Sequence, residues 1–478
     1  MPLRLFNTLT SDKQDFVPIR PGRIGIYVCG ITVYDLAHVG HARMLTAFDV
    51  VVRALRWTGW QVAYVRNWTD IDDKIIRRAQ ERGEEPLHLA GHFIDECRRD
   101  MQALNIMAAD VEPKATDHIQ EMLLLIGKLI ERGHAYAAGG DVYFAVRSFP
   151  NYGKLSKRNL DDLLSGARVE PGELKRDPLD FALWKATKPG EPESVSWESP
   201  WGPGRPGWHL ECSAMCQKYL GTTFDVHGGG KDLVFPHHEN EIAQSEAASG
   251  QELAHYWLHN GFVTLDAEKM SKSLGNFKTI RDLLAHWDGE ALRAFLLSTH
   301  YRHPINFAES AVADADRRID YFYETLAKAD AFLAQKKYQG AAEAVGEHLQ
   351  AFRDALEDDI NTAEAMARVE RVYGLLNARV DAKAPPAEVA ALLKTARTLS
   401  EVLGLAGRSP LEAIRERRRL AAGRKGIDPK WVEERIAARI AARKAKDFAQ
   451  ADAIRAELAG KGVELRDGPQ GTDWRVLL

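Results

Sequence analysis

The chain has 478 residues, 45% of them hydrophobic, a length and composition that favour about three domains with packed cores. Four cysteines are too few for the disulfide framework of a secreted protein of this size, and the first residues lack a secretory signal. No apolar stretch reaches the roughly 18 residues of a membrane helix. We therefore expect a cytoplasmic protein without a membrane partner. The net charge of −4 conceals a basic segment, because residues 408–446 hold 13 Lys and Arg against 5 Asp and Glu, a balance of +8 that leaves −12 for the rest. Such a segment is either a polyanion-binding surface or a solvated helix face.

The first strong pattern is a strand, a helix and a second strand. Residues 23–30 (RIGIYVCG) form a short apolar run typical of a buried strand, residues 41–59 have helical periodicity, and residues 61–70 are again typical of a strand. This order predicts a βαβ unit and therefore a parallel sheet. Ligands bind at the carboxyl ends of such strands, which is where Cys29 and residues 67–70 lie.

The remaining chain divides into an insertion, a helical region and a small C-terminal unit. Residues 116–200 contain a helix, a strand and a Pro- and Trp-rich stretch, and FDVHGGG and GFVTL are later strand candidates. Residues 308–405 are mostly amphipathic helix, and residues 406–429 have the Gly, Pro and arginine content of a linker. One long helix is predicted over 430–458, followed by two short strands around a Gly/Pro turn.

The motif His38-Val39-Gly40-His41 lies between the first strand and the helix. A helix amino terminus favours anions, two imidazoles there can donate hydrogen bonds to phosphate, and Gly40 permits close backbone approach. Taken alone, the motif is short enough that two ordinary surface histidines are an alternative.

A second motif, Lys269-Met-Ser-Lys272-Ser273, is typical of a cationic loop. Its two lysines can neutralise a triphosphate in the transition state, although a flexible basic surface loop is the alternative. Together with His-x-Gly-His near residue 40, the pattern is much more specific, and the chain resembles the class I aminoacyl-tRNA synthetases, whose signatures these two motifs are.

Four further residues form a candidate zinc-binding set: Cys29, Cys212, His237 and Glu241. His237 and Glu241 are four residues apart in a helical stretch and so share one face, and zinc accepts thiolate, imidazole and carboxylate ligands together. The long separation of the two cysteines suggests a metal in a cleft between two halves of the fold. The alternative is that Cys29 is a small core residue, as Cys97 and Cys216 are expected to be buried thiols.

The resemblance is closest to the cysteinyl-tRNA synthetase family. It rests on YVCGITVYDLAHVGHAR, YVRNWTDIDDKI, GRPGWHLECSAM, DVHGGGKDLVFPHHENEIAQ and EKMSKSLGN, and it extends from FNTLT near the start to DGPQGT near the end. The family's HIGH motif is HVGH in this chain, which keeps both histidines and the glycine.

This resemblance implies a reaction and a set of site residues. The expected reaction joins L-cysteine to tRNA(Cys) through a cysteinyl-adenylate, with ATP, accompanying Mg2+ and one Zn2+ held by the four residues above. The expected roles are catalysis by His38, His41, Lys269 and Lys272; ATP binding by His38, Gly40, His41, His227, Gly228, Gly229 and Lys272; and contact with the substrate cysteine by Thr69 and Trp208.

The expected fold is α/β: a Rossmann-like parallel-sheet catalytic domain split by an insertion, then an all-α bundle and a small anticodon-binding domain. The protein is expected to be a monomer. The expected units are the first half of the catalytic domain (1–115), the connective insertion (116–200), the second half (201–255), the KMSKS-bearing stem-contact region (256–307), the helical bundle (308–405), the linker (406–429) and the anticodon-binding domain (430–478).

Two rival functions share part of this pattern. A related ligase family joins cysteine to an amino sugar through the same adenylate but lacks the anticodon-binding end, so the basic C-terminal region favours tRNA. A catalytically inactive zinc-containing RNA-binding module would need neither the histidine motif nor the lysine motif.

Serine is the competing amino acid, and a hydrophobic pocket alone would separate it from cysteine by only about 1–3 kcal/mol. A metal that prefers sulfur explains why the chain has no obvious editing domain.

Overall fold

The computed structural model describes residues 2–160, 174–265, 268–269, 278–468 and 471–476. In this part of the chain the strands are β1 (Arg4–Asn7), β2 (Asp12–Asp15), β3 (Arg23–Thr32), β4 (Gln61–Thr69), β5 (Ala135–Ala138), β6 (Asp141–Phe144), β7 (Phe181–Ala186), β8 (Gly204–Pro206), β9 (Phe224–Gly230), β10 (Ala254–Asn260), β11 (Val263–Leu265), β12 (Glu268–Lys269), β13 (Ile305–Phe307), β14 (Val463–Gly468) and β15 (Gly471–Val476). The α-helices are α1 (Val39–Trp57), α2 (Asp73–Arg82), α3 (Pro86–Ala103), α4 (Ile119–Glu131), α5 (Trp208–Leu220), α6 (Glu239–Ser249), α7 (Ile280–Leu284), α8 (Gly289–Leu297), α9 (Glu309–Gln335), α10 (Gly346–Glu357), α11 (Thr362–Asp381), α12 (Pro386–Val402), α13 (Pro410–Arg424), α14 (Pro429–Lys444) and α15 (Phe448–Gly460).

The central sheet is parallel, with the strand order β10-β9-β3-β4. Tyr27 in β3 lies beside Val65 in β4 on one side and beside His227 in β9 on the other. Ile26, Tyr27 and Val28 are all fully buried, as expected for a strand covered on both faces of a parallel sheet. The predicted Rossmann-like fold is therefore confirmed.

The strand order creates a crevice beside β3. The chain continues from β3 to β4 on one side, whereas β9 and β10, from the later half, occupy the other side. The connections thus run in opposite directions from β3, and the carboxyl ends of β3 and β9 flank the crevice where α/β sheets bind ligands.

The insertion supplies three strands of a second, antiparallel sheet, β5-β6-β7-β8, and the last strand follows directly after it. Its buried residues Val142 and Trp184 belong to the same hydrophobic cluster as Cys212 and Cys216 of α5. The insertion therefore packs against the helix that supplies one of the candidate zinc ligands.

The C-terminal half is mostly helical, and one prediction about it is wrong. Helix α13 lies within the predicted linker, where Pro410 provides a helix start and the arginines that follow are good helix formers. The single helix predicted over 430–458 is two helices: Lys446 adopts a left-handed φ of 63° and Asp447 caps the start of α15. None of the described helices is long and apolar enough to cross a membrane.

Helices α14 and α15 and the hairpin β14–β15 share a small hydrophobic core of their own. It contains Val432, Ile436, Leu458 and Trp474, and it is separate from the cluster that joins the central sheet to the helical bundle.

Candidate metal and substrate site

Four buried donor groups converge at the crevice beside β3. Cys29 comes from the end of β3, Cys212 from α5, His237 from the turn Val234–His238 and Glu241 from α6. The Sγ atoms of Cys29 and Cys212 are 3.6 Å apart, Cys29 Sγ is 3.3 Å from Glu241 Oε1, and His237 Nε2 is 3.0 Å from the same oxygen. One donor atom from each residue lies within 4.8 Å of every other. Residues far apart in the chain therefore form one compact site.

This donor set fits zinc. Bond lengths to tetrahedral zinc place neighbouring sulfur, nitrogen and oxygen ligands about 3.3–3.8 Å from one another. The two separations from Cys29 Sγ, 3.6 and 3.3 Å, agree with that spacing. Two thiols, an imidazole and a carboxylate are also the ligand types that zinc combines.

The electrostatics around two of the four donors favour their anionic forms. Burial acts to raise the pKa of Glu241, but His227 and His237 hold it well below its usual value. Burial also raises the pKa of the Cys212 thiol, yet its contacts with Cys29 and His237 lower this pKa to about 6. A carboxylate and a thiolate are thus stabilised in the anionic forms that bind metal.

A second group of donors overlaps the first: Cys29, His227, His238 and Glu241. In this group His227 Nε2 is 2.8 Å from Glu241 Oε2, and His238 Nδ1 is 2.8 Å from His259 Nε2. Because the first group contains two sulfur donors, it suits zinc better. In that case the His227 imidazole is not a ligand itself and contacts the ligand Glu241 through the carboxylate oxygen Oε2.

The HGGG segment was predicted to bind ATP, and its side chains have internal contacts. His227 is fully buried and stacks on Trp257 with ring centroids 4.5 Å apart. A Cβ at Gly228 would lie 2.2 Å from the Phe48 ring, and one at Gly229 would lie 2.9 Å from His238. Packing within the protein therefore accounts for the histidine and both glycines, while ATP binding by them stays a prediction.

The HVGH motif forms the start of α1. His38 is the N-cap, and its Nδ1 accepts hydrogen bonds from the backbone N–H groups of Gly40 (3.1 Å) and His41 (3.3 Å). His41 Nδ1 in turn accepts from the His38 N–H, and the two rings stack with centroids 3.7 Å apart. A Cβ at Gly40 would lie 2.9 Å from the His38 ring. The motif is a rigid, capped helix terminus of the kind that attracts phosphate.

The structure describes only the first residue of the KMSKS motif. Lys269 lies in β12, whereas Lys272 lies outside the described residues. Directly after the motif, Val39 N–H donates to Lys278 O (3.1 Å) and Ile280 N–H donates to Ala37 O (2.9 Å). The fold therefore brings the chain that leaves one signature motif against the chain that enters the other.

Trp208, one predicted wall of the amino-acid pocket, contacts the cluster directly, whereas Thr69, the other, is linked to it through Asn67, whose Oδ1 lies 3.7 Å from Cys212 Sγ. The partly exposed Trp208 stacks on His237 with ring centroids 4.2 Å apart. The buried Thr69 Oγ1 accepts a hydrogen bond from Asn67 Nδ2 at 3.2 Å. Asn67 Oδ1 also accepts from Gly30 N–H at 2.8 Å, so this residue fixes the end of β4 against the end of β3.

Three residues beside the cluster received no role from the sequence: Asn67, His209 and Glu211. Asn67 could have been found, since it lies at a strand end. His209 Nδ1 is 2.9 Å from His237 Nδ1, a contact between different segments that spacing does not reveal. The pKa of the Glu211 carboxyl is raised well above its usual value, first by burial and then by the nearby Cys212 and two aspartates of the β4–α2 connection.

Comparison with known proteins agrees with this geometry. Residues 15–317 match the family described as tRNA synthetases class I (C) catalytic domain, residues 351–407 match the DALR domain, and residues 430–475 match the Cysteinyl-tRNA ligase anticodon binding domain. The chain belongs to the cysteinyl-tRNA synthetase family.

Full-length relatives support this membership in the cysteinyl-tRNA synthetase family. The chain is 56% identical over 487 residues to the cysteine–tRNA ligase of Anaeromyxobacter dehalogenans strain 2CP-C, with 100% of each chain covered. It is 53% identical over 488 residues to the cysteine–tRNA ligase of Nitratidesulfovibrio vulgaris, covering 99% of this chain and 100% of the relative. This cysteinyl-tRNA synthetase is accordingly a class I enzyme that charges tRNA with cysteine, and the anticodon-binding match favours tRNA over an amino-sugar acceptor.

Solved structures of other synthetases share its fold. Methionyl-tRNA synthetase of Mycobacterium tuberculosis in complex with methionyl-adenylate aligns with a TM-score of 0.55 at 16% identity, covering 85% of this chain and 94% of that one. The LeuRS of Agrobacterium radiobacter K84, in a ternary complex with tRNA and LeuAMS, aligns with a TM-score of 0.57 at 13% identity, covering 84% and 87%. At such low identity these alignments establish the class I fold alone.

Proposed function

We propose that this cysteinyl-tRNA synthetase holds one Zn2+ with Cys29, Cys212, His237 and Glu241, binds the thiol of L-cysteine there, and forms cysteinyl-adenylate before it charges tRNA(Cys). The observation that supports this most is the convergence of four donors within 4.8 Å at the sheet crevice. The crevice also lies next to the HVGH helix terminus, because α1 follows β3 directly. A substrate can therefore place its sulfur at one group and its carboxylate near the other.

The donor set also explains selectivity. Zinc bound there supplies a soft Lewis acid that prefers the sulfur of cysteine to the hydroxyl of serine. A pocket relying on shape alone would discriminate by only about 1–3 kcal/mol. Thr69 and Trp208 complete the walls of the pocket, and the stacking of Trp208 on His237 supports an imidazole ligand.

The proposed activation step uses the two signature motifs. His38, Gly40 and His41 present a capped helix terminus to the phosphates of ATP, and the substrate carboxylate attacks the α-phosphate in line. Lys269 and Lys272 neutralise the leaving pyrophosphate together with the Mg2+ that accompanies ATP. His227, Gly228 and Gly229 are proposed to border the nucleoside with the backbone of β9.

In the transfer step, the terminal ribose hydroxyl of the tRNA attacks the carbonyl carbon of the cysteinyl-adenylate, loses its proton, and displaces AMP to leave a cysteinyl ester on the tRNA. The basic region of residues 408–446 and the final hairpin are proposed to bind the anticodon end, since clustered Lys and Arg attract a polyanion. We further propose that the enzyme acts as a monomer in the cytoplasm.

Zinc analysis tests the ligand assignment. Purified enzyme is expected to contain about one zinc per chain, and Cys29→Ser is expected to lose most of it because a hydroxyl is a poor zinc ligand. The matched control is Cys97→Ser, since Cys97 is also buried but lies in α3, in the hydrophobic cluster that does not contain the donor set. Full zinc retention in Cys29→Ser would contradict the assignment.

Two activity assays test the reaction. Cysteine-dependent exchange of pyrophosphate into ATP reports adenylate formation, and transfer of labelled cysteine to tRNA reports the second step. Exchange without transfer to any tRNA would refute tRNA(Cys) as the acceptor, and absence of exchange would refute the adenylate.

A further inference from the structure

Glu211 is a buried carboxylate that lacks the partners its environment demands. Its side chain is fully buried, and neither carboxylate oxygen has a hydrogen-bond partner among the described residues. Buried polar groups in native proteins are almost always paired, and an unpaired carboxylate is among the costliest exceptions. A group of this kind points to a ligand that pairs with it.

The position of Glu211 in the helix places it beside one of the candidate zinc ligands. It lies next to Cys212 and one helical turn after Trp208, so all three side chains project from the same part of α5. Helix α5 packs against β4, the strand that ends at Thr69. Glu211 therefore lies between Trp208 and Cys212 in the sequence, on a helix that contacts the strand carrying the other predicted wall of the amino-acid pocket.

The other carboxylates at this end of β4 are already engaged. Asp70 accepts hydrogen bonds from the N–H (3.0 Å) and the hydroxyl (2.6 Å) of Thr116. Asp72 caps α2 by accepting from the Lys74 N–H at 2.9 Å, and Asp73 forms ion pairs at 2.6 and 2.7 Å with a lysine of β7 and an arginine of β8. Among these four carboxyl groups, Glu211 is therefore the one for which the described residues supply no hydrogen-bond partner.

We propose that Glu211 binds the α-ammonium group of the cysteine substrate. This rests on the proposed function, in which the substrate thiol lies at the zinc ligands. In cysteine only the Cβ and Cα atoms separate the sulfur from the nitrogen, so a thiol held beside Cys212 carries its ammonium group toward the adjacent Glu211. An ammonium group both donates hydrogen bonds to the carboxylate and compensates its buried charge. The enzyme would then recognise cysteine by three groups: thiol, carboxylate and ammonium.

The test compares two ligands on Glu211→Gln, with zinc content measured in every sample. 3-Mercaptopropionate differs from cysteine only in lacking the ammonium group, and both are titrated calorimetrically into the zinc-loaded enzyme. We expect Glu211→Gln to weaken cysteine binding about 10- to 100-fold, the usual range for losing a hydrogen bond to a charged group. Binding of 3-mercaptopropionate should stay the same. The control is Glu246→Gln, the same substitution at a glutamate of α6 that forms an ion pair with a lysine. It should change the binding of neither ligand.

Equal weakening of both ligands, or unchanged cysteine affinity, would overturn the inference and leave the proposed function standing. If Glu211→Gln does not retain zinc, the same titrations are made on Glu211→Asp, whose shortened carboxylate should weaken cysteine alone. A wild-type zinc enzyme that binds neither thiol would instead overturn the proposed function, and this inference with it.

Discussion

Substitution of His227 distinguishes two possible roles of this residue, ATP binding and support of a metal ligand. The sequence assigns it to ATP, whereas its Nε2 lies 2.8 Å from Glu241 Oε2 in a fully buried setting. If Glu241 is a zinc ligand, His227 orients its carboxylate, and His227→Ala removes that support without removing a ligand.

The expected size of the effect follows from this contact. Loss of a hydrogen-bonding partner behind a metal ligand lowers metal affinity by about 10- to 100-fold. This corresponds to about 1.4–2.7 kcal/mol in binding free energy. The other Glu241 oxygen keeps its 3.0 Å contact with His237, so we expect weakened zinc binding and not its complete loss.

The assay is competition for zinc between the enzyme and a chelator of known affinity, alongside a measurement of ATP binding. His118→Ala is the control, because His118 is equally buried but bonds to Lys114 O at 2.6 Å and Tyr219 Oη at 2.9 Å, away from the donor set. A His227→Ala enzyme with wild-type zinc affinity and weakened ATP binding would refute the metal-supporting role and favour the ATP role.

Three further predictions follow from other contacts. Asp49→Ala should destabilise the protein by about 3–5 kcal/mol in denaturant unfolding, because it leaves the fully buried Arg293 guanidinium without its carboxylate. Asp330→Ala, at an exposed ion pair, should cost about 1 kcal/mol or less, and equal losses would contradict the burial argument. His38→Ala should keep full zinc content and slow ATP–pyrophosphate exchange about 100- to 1000-fold, and zinc loss would show that the two sites are not separate. Lys272→Ala should slow exchange far more than it weakens cysteine binding, and an unchanged exchange rate would remove this lysine from the mechanism.

Residues at strand and helix ends were the most predictable from the sequence. The run before Cys29 and the periodicity after His38 located a strand and a helix, and the crevice rule placed Cys29 and residues 67–70 at the carboxyl ends of neighbouring strands. The spacing of His237 and Glu241 similarly placed two donors on one face.

Features that depend on a few backbone angles or on distant contacts were not predictable. The composition of residues 430–458 is helical throughout, and the break depends on the left-handed Lys446 and the capping side chain of Asp447. Pairing of His227 with Glu241 depends on how β9 packs against α6, which periodicity does not report. The missing partner of Glu211 is likewise a property of the folded interior.

The division of the candidate ligands between the two halves of the sheet has a thermodynamic consequence. Cys29 belongs to β3, whereas the other three donors follow the insertion, so an ion bound to all four would cross-link segments that meet only in the folded chain. Its binding free energy would then count toward folding, by about 4 kcal/mol when free zinc exceeds its dissociation constant 1,000-fold. The unfolding temperature of the catalytic domain should accordingly rise with the free zinc concentration, so that the thermal stability of the enzyme depends on how much zinc is available.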